Sequence, residues 1–353
     1  MERATTPASE PSSEQDLRRG TGPDTARRET MKAAVRDSYG SPDVVELREL
    51  DKPVPADDEV LVRVRAASLN MADWYAVAGR PYVGRAQMGL RRPKSNRLGV
   101  DYAGTVEAVG KNVAEFRPGD EVFGGRDGAY AEYVCAREDR AIVPKPANVT
   151  FEQAAAVPIA GITALQGLRD KGQLQPGQKV LINGASGGVG TFAVQIAKAL
   201  GAEVTGVCST GNVEMVRSLG ADHVIDYTRE DFTRSDERYD LMLDVAGSRS
   251  WSKCRRVLNP QATLVLVGGP KTSRMFGPLG HVITVRLGGL LARRKVRFFI
   301  AKFNKADMLA LRVLLETGKV TPVIDRRYEL SEIADAFRYI GEGHCRSKVV
   351  ITV

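Results

Sequence analysis

The sequence contains few cysteines, no long apolar run and no apolar segment near its start. Its four cysteines are scattered along 353 residues, which indicates free thiols in a reducing cytoplasm rather than a disulfide framework. No uninterrupted apolar stretch reaches the roughly 18 residues that a membrane-spanning helix needs. The first residues lack the apolar core of a secretory signal. We therefore expect a cytoplasmic protein that is neither secreted nor stably inserted into a membrane.

The charge balance is basic, with a formal net charge of +8 and a pI near 9.3. Such a balance raises nucleic acid or an anionic surface as a partner. The basic residues are nevertheless spread along the chain, with one denser patch at residues 293–297. We attribute the positive charge to a solvated basic surface and to the binding of a phosphate-bearing cofactor. We expect no nucleic-acid partner.

The most informative segment covers residues 179–198 and reads KVLINGASGGVGTFAVQIAK. A short apolar run is followed by a glycine cluster, and then by apolar residues at helical spacing. Strand, tight turn and helix in this order bring backbone N–H groups and the positive end of a helix dipole against a phosphate. The glycines permit a sharp turn and close approach to a pyrophosphate. An ordinary tight turn is the alternative, and we favour the dinucleotide site because of the segments that follow.

Strand-like and helix-like segments alternate after this motif. A helix is expected at residues 213–219. Short apolar runs bounded by turn residues predict buried strands. The predicted strands lie at residues 201–208, 223–226, 239–245 and 262–267. Alternation at this spacing predicts an α/β unit with a doubly wound parallel sheet covered on both faces.

The part of the chain before the glycine motif has a different pattern. Residues 1–30 contain almost nothing apolar and are predicted to be a disordered tail. Short strands and frequent Gly/Pro turns then predict a mainly β, barrel-like unit, with residues 129–136 continuing the strand of residues 116–124. Residues 157–168 are apolar at helical spacing and are expected to lead into the cofactor unit. The last residues, 349–353, predict a strand that returns to the β unit.

The chain resembles the medium-chain dehydrogenase/reductases, specifically their zinc-independent quinone oxidoreductase-like branch, over about residues 31–353. The resemblance implies a GroES-like β domain (residues 31–152 and 300–353) split around a Rossmann domain (residues 153–299). It also implies a nicotinamide cofactor in the cleft between them and a homodimer. The matching residues are Gly177, Gln178, Leu181, Ala185, Ser186, Gly187, Gly188, Gly190, Gln195, Lys198, Ser68, Leu69, Asn70, Asp73 and residues 99–104, 117–122 and 343–350.

The residues argue against the zinc site of other members of this superfamily. Those relatives carry a His-Glu pair after a glycine, whereas Gly99 is followed here by Val100 and Asp101. Their early cysteine falls near Asn70, where this chain has no thiol. Zinc needs several nitrogen or sulfur ligands that converge on one point. The three histidines and four cysteines show no ligand spacing, so we expect no bound zinc.

The end of the second predicted strand bears on the choice between NADPH and NADH. A preference for NAD usually places Asp or Glu there, to accept from the ribose 2′-hydroxyl. This chain has Cys208, Ser209 and Thr210 instead, and small hydroxyl residues admit a 2′-phosphate and can donate to it. We favour NADPH, although both hydroxyls could be ordinary loop residues. Asn212 stands where relatives often carry a lysine, and the basic partner could be Arg217 or Arg229.

The resemblance implies further contacts with the cofactor. Tyr227 matches a position near the 2′-phosphate, and Thr163 a position near the nicotinamide ribose. Asp244 is placed under the nicotinamide half, although it could equally be a plain loop acid. The full predicted set is Thr163, Ala185, Ser186, Gly187, Gly188, Val189, Gly190, Ser209, Thr210, Asn212, Tyr227, Asp244, Val245, Val267, Gly268 and Gly269.

Without a metal, the predicted chemistry depends on hydride alignment and on hydrogen bonds to the oxygen that gains charge. Quinones and α,β-unsaturated carbonyls suit such a site, because conjugation spreads charge onto oxygen. Asn70 is the leading candidate to orient substrate, and Asp73 is expected to hold its loop. Tyr75 and Tyr82 are candidate donors or packing residues. The alternatives are an alcohol dehydrogenase-type carbonyl reductase and a non-catalytic NADPH-binding protein.

Residues 275–300 are apolar and then basic. By position they are expected to cover the cleft or to lie at a dimer interface. The same pattern also resembles a helix that lies on a membrane surface, with apolar and Arg/Lys faces. We favour the lid or interface, since core helices often show this pattern.

Overall fold

The computed structural model describes residue 1 and residues 29–269, 279–292, 294–343 and 345–353. The predicted tail therefore lies almost wholly outside the described residues. His344, Arg293 and the first part of the segment at residues 275–300 also lie outside them.

The described residues form fifteen strands. Strands of the N-terminal part come first, those of the glycine-motif region follow, and two more close the chain. They are β1 (Thr30–Val35), β2 (Glu46–Asp51), β3 (Glu59–Leu69), β4 (Asp101–Val109), β5 (Glu121–Gly125), β6 (Tyr133–Arg137), β7 (Ile142–Pro144), β8 (Lys179–Asn183), β9 (Glu203–Cys208), β10 (His223–Asp226), β11 (Tyr239–Asp244), β12 (Leu258–Leu266), β13 (Lys295–Phe298), β14 (Ile324–Glu329) and β15 (Lys348–Thr352).

Ten α-helices accompany these strands in the described residues. A π-helical segment at Gln166–Gly172 extends the fourth, and none of the described helices is both long and apolar enough to cross a bilayer. The helices are α1 (Met71–Ala78), α2 (Arg85–Met88), α3 (Phe151–Ala155), α4 (Pro158–Leu165), α5 (Gly188–Ala199), α6 (Val213–Ser218), α7 (Trp251–Cys254), α8 (Leu279–Leu291), α9 (Lys305–Glu316) and α10 (Ile333–Glu342). Short 3-10 turns lie at Pro42–Val44, Tyr82–Gly84, Thr210–Asn212, Phe232–Arg234, Arg255–Val257 and Leu330–Glu332.

The glycine-motif region forms one parallel sheet of six strands in the order β10-β9-β8-β11-β12-β13. Alternate residues of its central strands enter different cores, since Val180 and Ile182 pack on one face and Leu181 on the other. Such burial on both faces is typical of a doubly wound sheet, so the predicted α/β architecture is confirmed. The sixth strand, β13, was not predicted, because its residues lie within a cationic segment.

A second, mainly antiparallel sheet has the order β14-β15-β3-β4-β5-β7, with β6 also paired to β3. It joins strands of the N-terminal part to the two last strands, so the predicted return of the C-terminal strand is confirmed. The prediction that residues 129–136 continue the preceding strand is wrong. β5 pairs with β4 and β7, whereas β6 pairs with β3. The chain turns between β5 and β6, so the two segments are separate strands with different partners.

The largest apolar core contains residues from both sheets. Phe123 of β5 and Val350 of β15 belong to the same cluster as Ile182 of β8 and Phe192 of α5. Helix α9 contributes Leu311, which packs beside Gly161 of α4. The two sheets therefore share a core. The exact domain limits given above stay predictions.

Candidate cofactor and substrate site

The glycine-rich turn lies between β8 and α5. Gly184 has a φ of +93°, a conformation that L side chains rarely adopt. A Cβ on Gly190 would lie 2.1 Å from the carbonyl oxygen of Gly184, so the helix can approach the turn only without a side chain there. Gly187 occupies the N-cap of α5, and the first N–H groups of the helix have no partner within it. The turn therefore has the geometry of an anion site, as the sequence predicts.

A cavity of about 530 Å³ opens beside this turn, at the carboxyl ends of β8 and β9. Four predicted cofactor residues line it: Ser186, Ser209, Asn212 and Tyr227. No aspartate or glutamate is among its described lining residues. Ligands of open α/β sheets bind at this edge of the sheet, beyond the carboxyl ends of the strands.

Two arginines line this cavity, Arg249 and Arg346, and neither was predicted from the sequence. The Arg249 guanidinium also pairs with Asp231, at 3.4 Å. Arg346 comes from the segment that leads into β15, and its guanidinium lies beside Gly211, where a Cβ would be 3.5 Å from Nη2. The two arginines suggested from the sequence form other pairs. Arg217 pairs with Glu214 on α6, and Arg229 pairs with Asp226. A contact of Arg217 or Arg229 with the cofactor stays a prediction.

Two predicted hydroxyl residues differ in their surroundings. The Ser209 hydroxyl accepts a hydrogen bond from the Asn212 side chain at 3.0 Å and lines the cavity. The Thr210 hydroxyl donates to Asp226 at 2.6 Å and lies 2.9 Å from the Thr228 hydroxyl. Thr210 is not among the lining residues, and its contact with cofactor stays a prediction.

The loops after β8, β11 and β12 meet beside the glycine-rich turn. The Asp244 carboxylate is fully buried and accepts from the Asn183 amide at 2.7 Å and from the Gly247 N–H at 2.9 Å. The backbone N–H of Val267 bonds to the Asp244 carbonyl, and Gly268 lies so near that a Cβ would be 2.3 Å from the Val245 oxygen. These bonds tie Asp244, at the end of β11, to the neighbouring loops, and its contact with the nicotinamide half stays a prediction.

The other predicted members of the set lie around this cluster. Thr163 is buried in α4. Ala185 is buried in the glycine turn, and its N–H bonds to the Val207 carbonyl at 3.0 Å. Val189 begins the partly buried face of α5, and Gly269 ends the described part of the loop after β12. Their contacts with a cofactor stay predictions.

Asn70 lies at the end of β3 in a buried polar cluster that reaches the glycine turn. Its side-chain amide donates to the Asp101 carboxylate at 2.9 Å, and its side-chain oxygen accepts from the Lys348 ammonium at 2.5 Å. The Asp101 carboxylate also lies 3.6 Å from Lys348 Nζ and accepts from the Ile159 N–H. The Lys348 side chain runs past Gly188, where a Cβ would lie 3.4 Å from its Cδ. Lys348 was not predicted as a site residue from the sequence.

Burial controls the protonation of this cluster. It raises the pKa of the Asp101 carboxyl and lowers the pKa of the Lys348 ammonium, while each group's charge opposes the shift of the other. Asp73, on the first turn of α1, accepts from the Asn70 N–H and the Tyr130 hydroxyl, both at 2.8 Å. Burial, followed by the charge of Asp101, raises the pKa of Asp73 to about 6.

Asp73 closes a capping box with Asn70, so it holds the loop as expected. Tyr75 stands edge-to-face against Trp74, with ring centroids 5.5 Å apart, and burial raises the pKa of its phenol. Tyr82 is partly exposed beneath the Arg85 guanidinium. No contact of either tyrosine places it on a substrate, so their roles as donors stay predictions.

Family models and a curated relative match this chain over most of its length. The alcohol dehydrogenase GroES-like domain matches residues 56–147, and the zinc-binding dehydrogenase model matches residues 219–351. The mouse mitochondrial NAD(P)H oxidoreductase RTN4IP1 is 34% identical over 373 residues, covering 95% of this chain and 92% of its own. The chain belongs to the medium-chain dehydrogenase/reductases.

Other members of the superfamily place this medium-chain dehydrogenase/reductase in the quinone oxidoreductase-like branch. The chloroplastic NADPH-dependent alkenal/one oxidoreductase of Arabidopsis thaliana is 32% identical, covering 91% of this chain and 79% of its own. The quinone oxidoreductase from Coxiella burnetii superimposes with a TM-score of 0.79 at 29% identity, covering 92% of this chain and all of its own. The chain is accordingly an oxidoreductase with the superfamily's α/β and GroES-like architecture.

Where the zinc-dependent members bind their metal, this medium-chain dehydrogenase/reductase has different residues. Asp101 bonds to Asn70 and Lys348 rather than to other potential ligands. Across the described ranges, no group of three or more His, Cys, Asp or Glu side chains could hold a metal ion.

Proposed function

We propose that this chain is a zinc-independent, NADPH-dependent oxidoreductase that transfers hydride to a quinone or an α,β-unsaturated carbonyl. The observation that carries the cofactor choice is the cavity beside the glycine turn, which presents Arg249 and Arg346 and no described acidic residue. A 2′-phosphate adds negative charge, which guanidinium groups bind with charge-assisted hydrogen bonds. The name of the Arabidopsis relative supports NADPH and an alkenal or enone acceptor, and the name of the mouse relative supports a nicotinamide cofactor.

The residues of this site fit a dinucleotide. The N-terminus of α5 would hold the diphosphate, because its helix dipole and free N–H groups favour negative charge. Ser209, Asn212, Tyr227 and the two arginines would surround the adenosine phosphate. The loop cluster around Asp244 would lie against the nicotinamide half.

When bound, NADPH supplies the hydride, and the protein must orient the acceptor and stabilise the oxygen that gains charge. Both polar ends of the Asn70 side chain are held, by Asp101 and by Lys348. Asn70 therefore has a fixed orientation at the end of β3. Asp73 keeps α1 and Tyr75 in place. We propose no single general acid, and water can complete protonation of a conjugated acceptor.

The cofactor choice is tested by calorimetric titration of NADPH and NADH into the purified chain and two variants. Arg249→Ala and Arg346→Ala should each weaken NADPH binding about tenfold or more, since each removes a charge-assisted bond, and should leave NADH affinity nearly unchanged. Arg217→Ala removes a guanidinium that pairs with Glu214 away from the cavity and is the matched control. Equal losses for NADPH and NADH would contradict the proposal.

The reaction is tested by NADPH oxidation with a panel of quinones and enones, together with metal analysis. We expect turnover of at least one conjugated acceptor by metal-free protein. Stoichiometric zinc with activity on simple carbonyls would favour the alcohol dehydrogenase-type alternative, which the name of the second matching family model keeps open. Tight NADPH binding without turnover of any acceptor would favour a binding protein.

The quaternary structure and location are also proposals. We propose a homodimer, as the resemblance implies, and a cytoplasmic location, supported by the four free cysteines. Light scattering coupled to size exclusion tests the first, and fractionation of cells with the tagged chain tests the second.

A further inference from the structure

Helix α8 carries an apolar stripe on its outward face. Its buried residues are Val282, Val285 and Gly289, which face the six-stranded sheet. The exposed stripe lies on the opposite side, at a spacing of i, i+4, i+7 and i+8 that aligns side chains on one helix face. Its members are Ile283 (54% exposed), Leu287 (56%), Leu290 (74%) and Leu291 (87%).

Positive charges border this stripe. Arg286 lies on the same helix, and Lys295 follows its C-terminal end; both are exposed. The exposed Arg255 and Arg256 follow α7, whose Trp251 packs against Gly288 of α8 so closely that a Cβ would be 2.5 Å from the ring. In the described ranges, no acidic residue forms an ion pair with any of these four cations.

The sequence around α8 contains no compensating charge. Between Asp244 and Asp307 there are thirteen Lys and Arg residues and no Asp or Glu. The six-stranded sheet thus presents a cationic surface on the side of α8, with four large apolar side chains projecting from it.

We propose that this α8 surface docks on an anionic phospholipid bilayer. Leucine and isoleucine side chains would enter the headgroup boundary, and the surrounding cations would attract anionic headgroups. A second copy of this chain fits less well. In a two-fold interface the same patch meets itself, so cations would face cations without an acid between them. Nucleic acid would use the charge and leave the apolar stripe exposed to water.

The test is co-sedimentation of the full chain with vesicles of phosphatidylcholine alone or with about one quarter phosphatidylglycerol. We expect binding only to the anionic vesicles, reduced by salt. The double variant Leu290→Ser/Leu291→Ser should weaken binding about tenfold or more, because two apolar side chains no longer leave water. Arg286→Gln/Lys295→Gln should weaken it as well. Val313→Ser, at a 55% exposed apolar position on α9, should not change it.

Several outcomes would overturn the proposal. Absent or equal binding to the two kinds of vesicle would remove the anionic surface as the partner. Unchanged binding by the serine double variant would show that charge alone is responsible. Dimerisation that the serine variant abolishes, without vesicle binding, would assign the stripe to a second copy, and duplex binding without vesicle binding would assign the cations to nucleic acid. None of these readouts depends on the proposed enzymatic activity.

Discussion

At the scale of single residues, Lys348 and Asp101 are the most consequential pair. Both are buried, and they contact each other and Asn70 between β3, β4 and the start of β15. A buried charge without its partner is far more costly than a buried pair or a neutral substitute. This cluster fixes Asn70 and brings the β sheet against the glycine turn.

Lys348→Met should therefore lower the free energy of unfolding by about 3–5 kcal/mol, because it leaves the buried Asp101 carboxyl without its ion-pair partner. Urea denaturation at neutral pH measures the change. The double variant Lys348→Met/Asp101→Asn is the control, and it should recover part of the loss since the buried charge is gone. A single variant as stable as the wild type would contradict the role of this pair.

The raised pKa of Asp73 predicts a pH dependence of stability. Its pKa is about 6 in the folded chain and 3.8 in the reference state. Between these values the folded chain binds more protons than the unfolded chain, so stability falls as pH rises from about 4 to above 6. Relative to Asp73→Asn, the wild type should lose up to about 3 kcal/mol across this window.

Urea midpoints of wild type and Asp73→Asn at several pH values measure this loss. Asp236→Asn, at an exposed carboxylate, is the control and should follow the wild type. If the difference between wild type and Asp73→Asn stays constant over the window, the carboxyl does not titrate there.

The sequence could indicate Asn70 and Asp73 because they lie in a local motif. It could not indicate the partners of Asn70 in the same way. Lys348 is 278 positions from Asn70 and reads as the first residue of a strand, and its burial depends on which strand it pairs with. Arg346 was not predicted for the same reason: the second sheet brings it to a cavity beside the glycine turn, which lies far earlier in the chain.

At the scale of elements, the turn between β8 and α5 combines two glycines with different constraints. A Cβ on Gly190 would overlap the Gly184 carbonyl, whereas a Cβ on Gly188 would meet only ordinary contacts at 3.4 Å. Gly190→Ala should therefore displace backbone and destabilise the fold by about 1–3 kcal/mol. Gly188→Ala should keep the wild-type urea midpoint.

The matched pair separates folding from cofactor binding. If the diphosphate approaches Gly188 closely, Gly188→Ala weakens NADPH binding in calorimetry without changing stability. Equal stability of the two variants would contradict the close contact at Gly190. Wild-type NADPH affinity in Gly188→Ala would show that the diphosphate does not approach this position.

Element prediction succeeded where hydrophobic periodicity was strong and failed where charge obscured it. The strands at β8 to β12 are apolar runs bounded by turn residues, so the parallel sheet was predictable. β13 has the sequence Lys-Val-Arg-Phe, and its alternation is hidden within a run of cations. Its apolar residues pack against the α8 side of the sheet, since Val296 contacts Gly289. Tertiary packing, not local composition, makes this segment a strand.

At the scale of the whole molecule, the shared core predicts how the chain unfolds. Apolar residues of both sheets and of α9 belong to one cluster. Polar contacts also cross between the sheets, such as the 2.9 Å contact between the hydroxyls of Thr191 on α5 and Ser347 before β15. Two units that share this much buried surface should unfold together, unlike domains joined by a small interface.

The two tryptophans can report on the two parts separately. Trp74 lies on α1 beside the second sheet, and Trp251 lies on α7 against the six-stranded sheet. In Trp251→Phe and in Trp74→Phe, the urea midpoint from fluorescence should coincide with the midpoint from far-UV circular dichroism. Leu311→Ala should lower the free energy of unfolding by about 2–5 kcal/mol, because it opens a cavity in the common core. The midpoints from fluorescence and from circular dichroism should fall by the same amount. An earlier fluorescence transition from either tryptophan would mean that one sheet can unfold while the other persists.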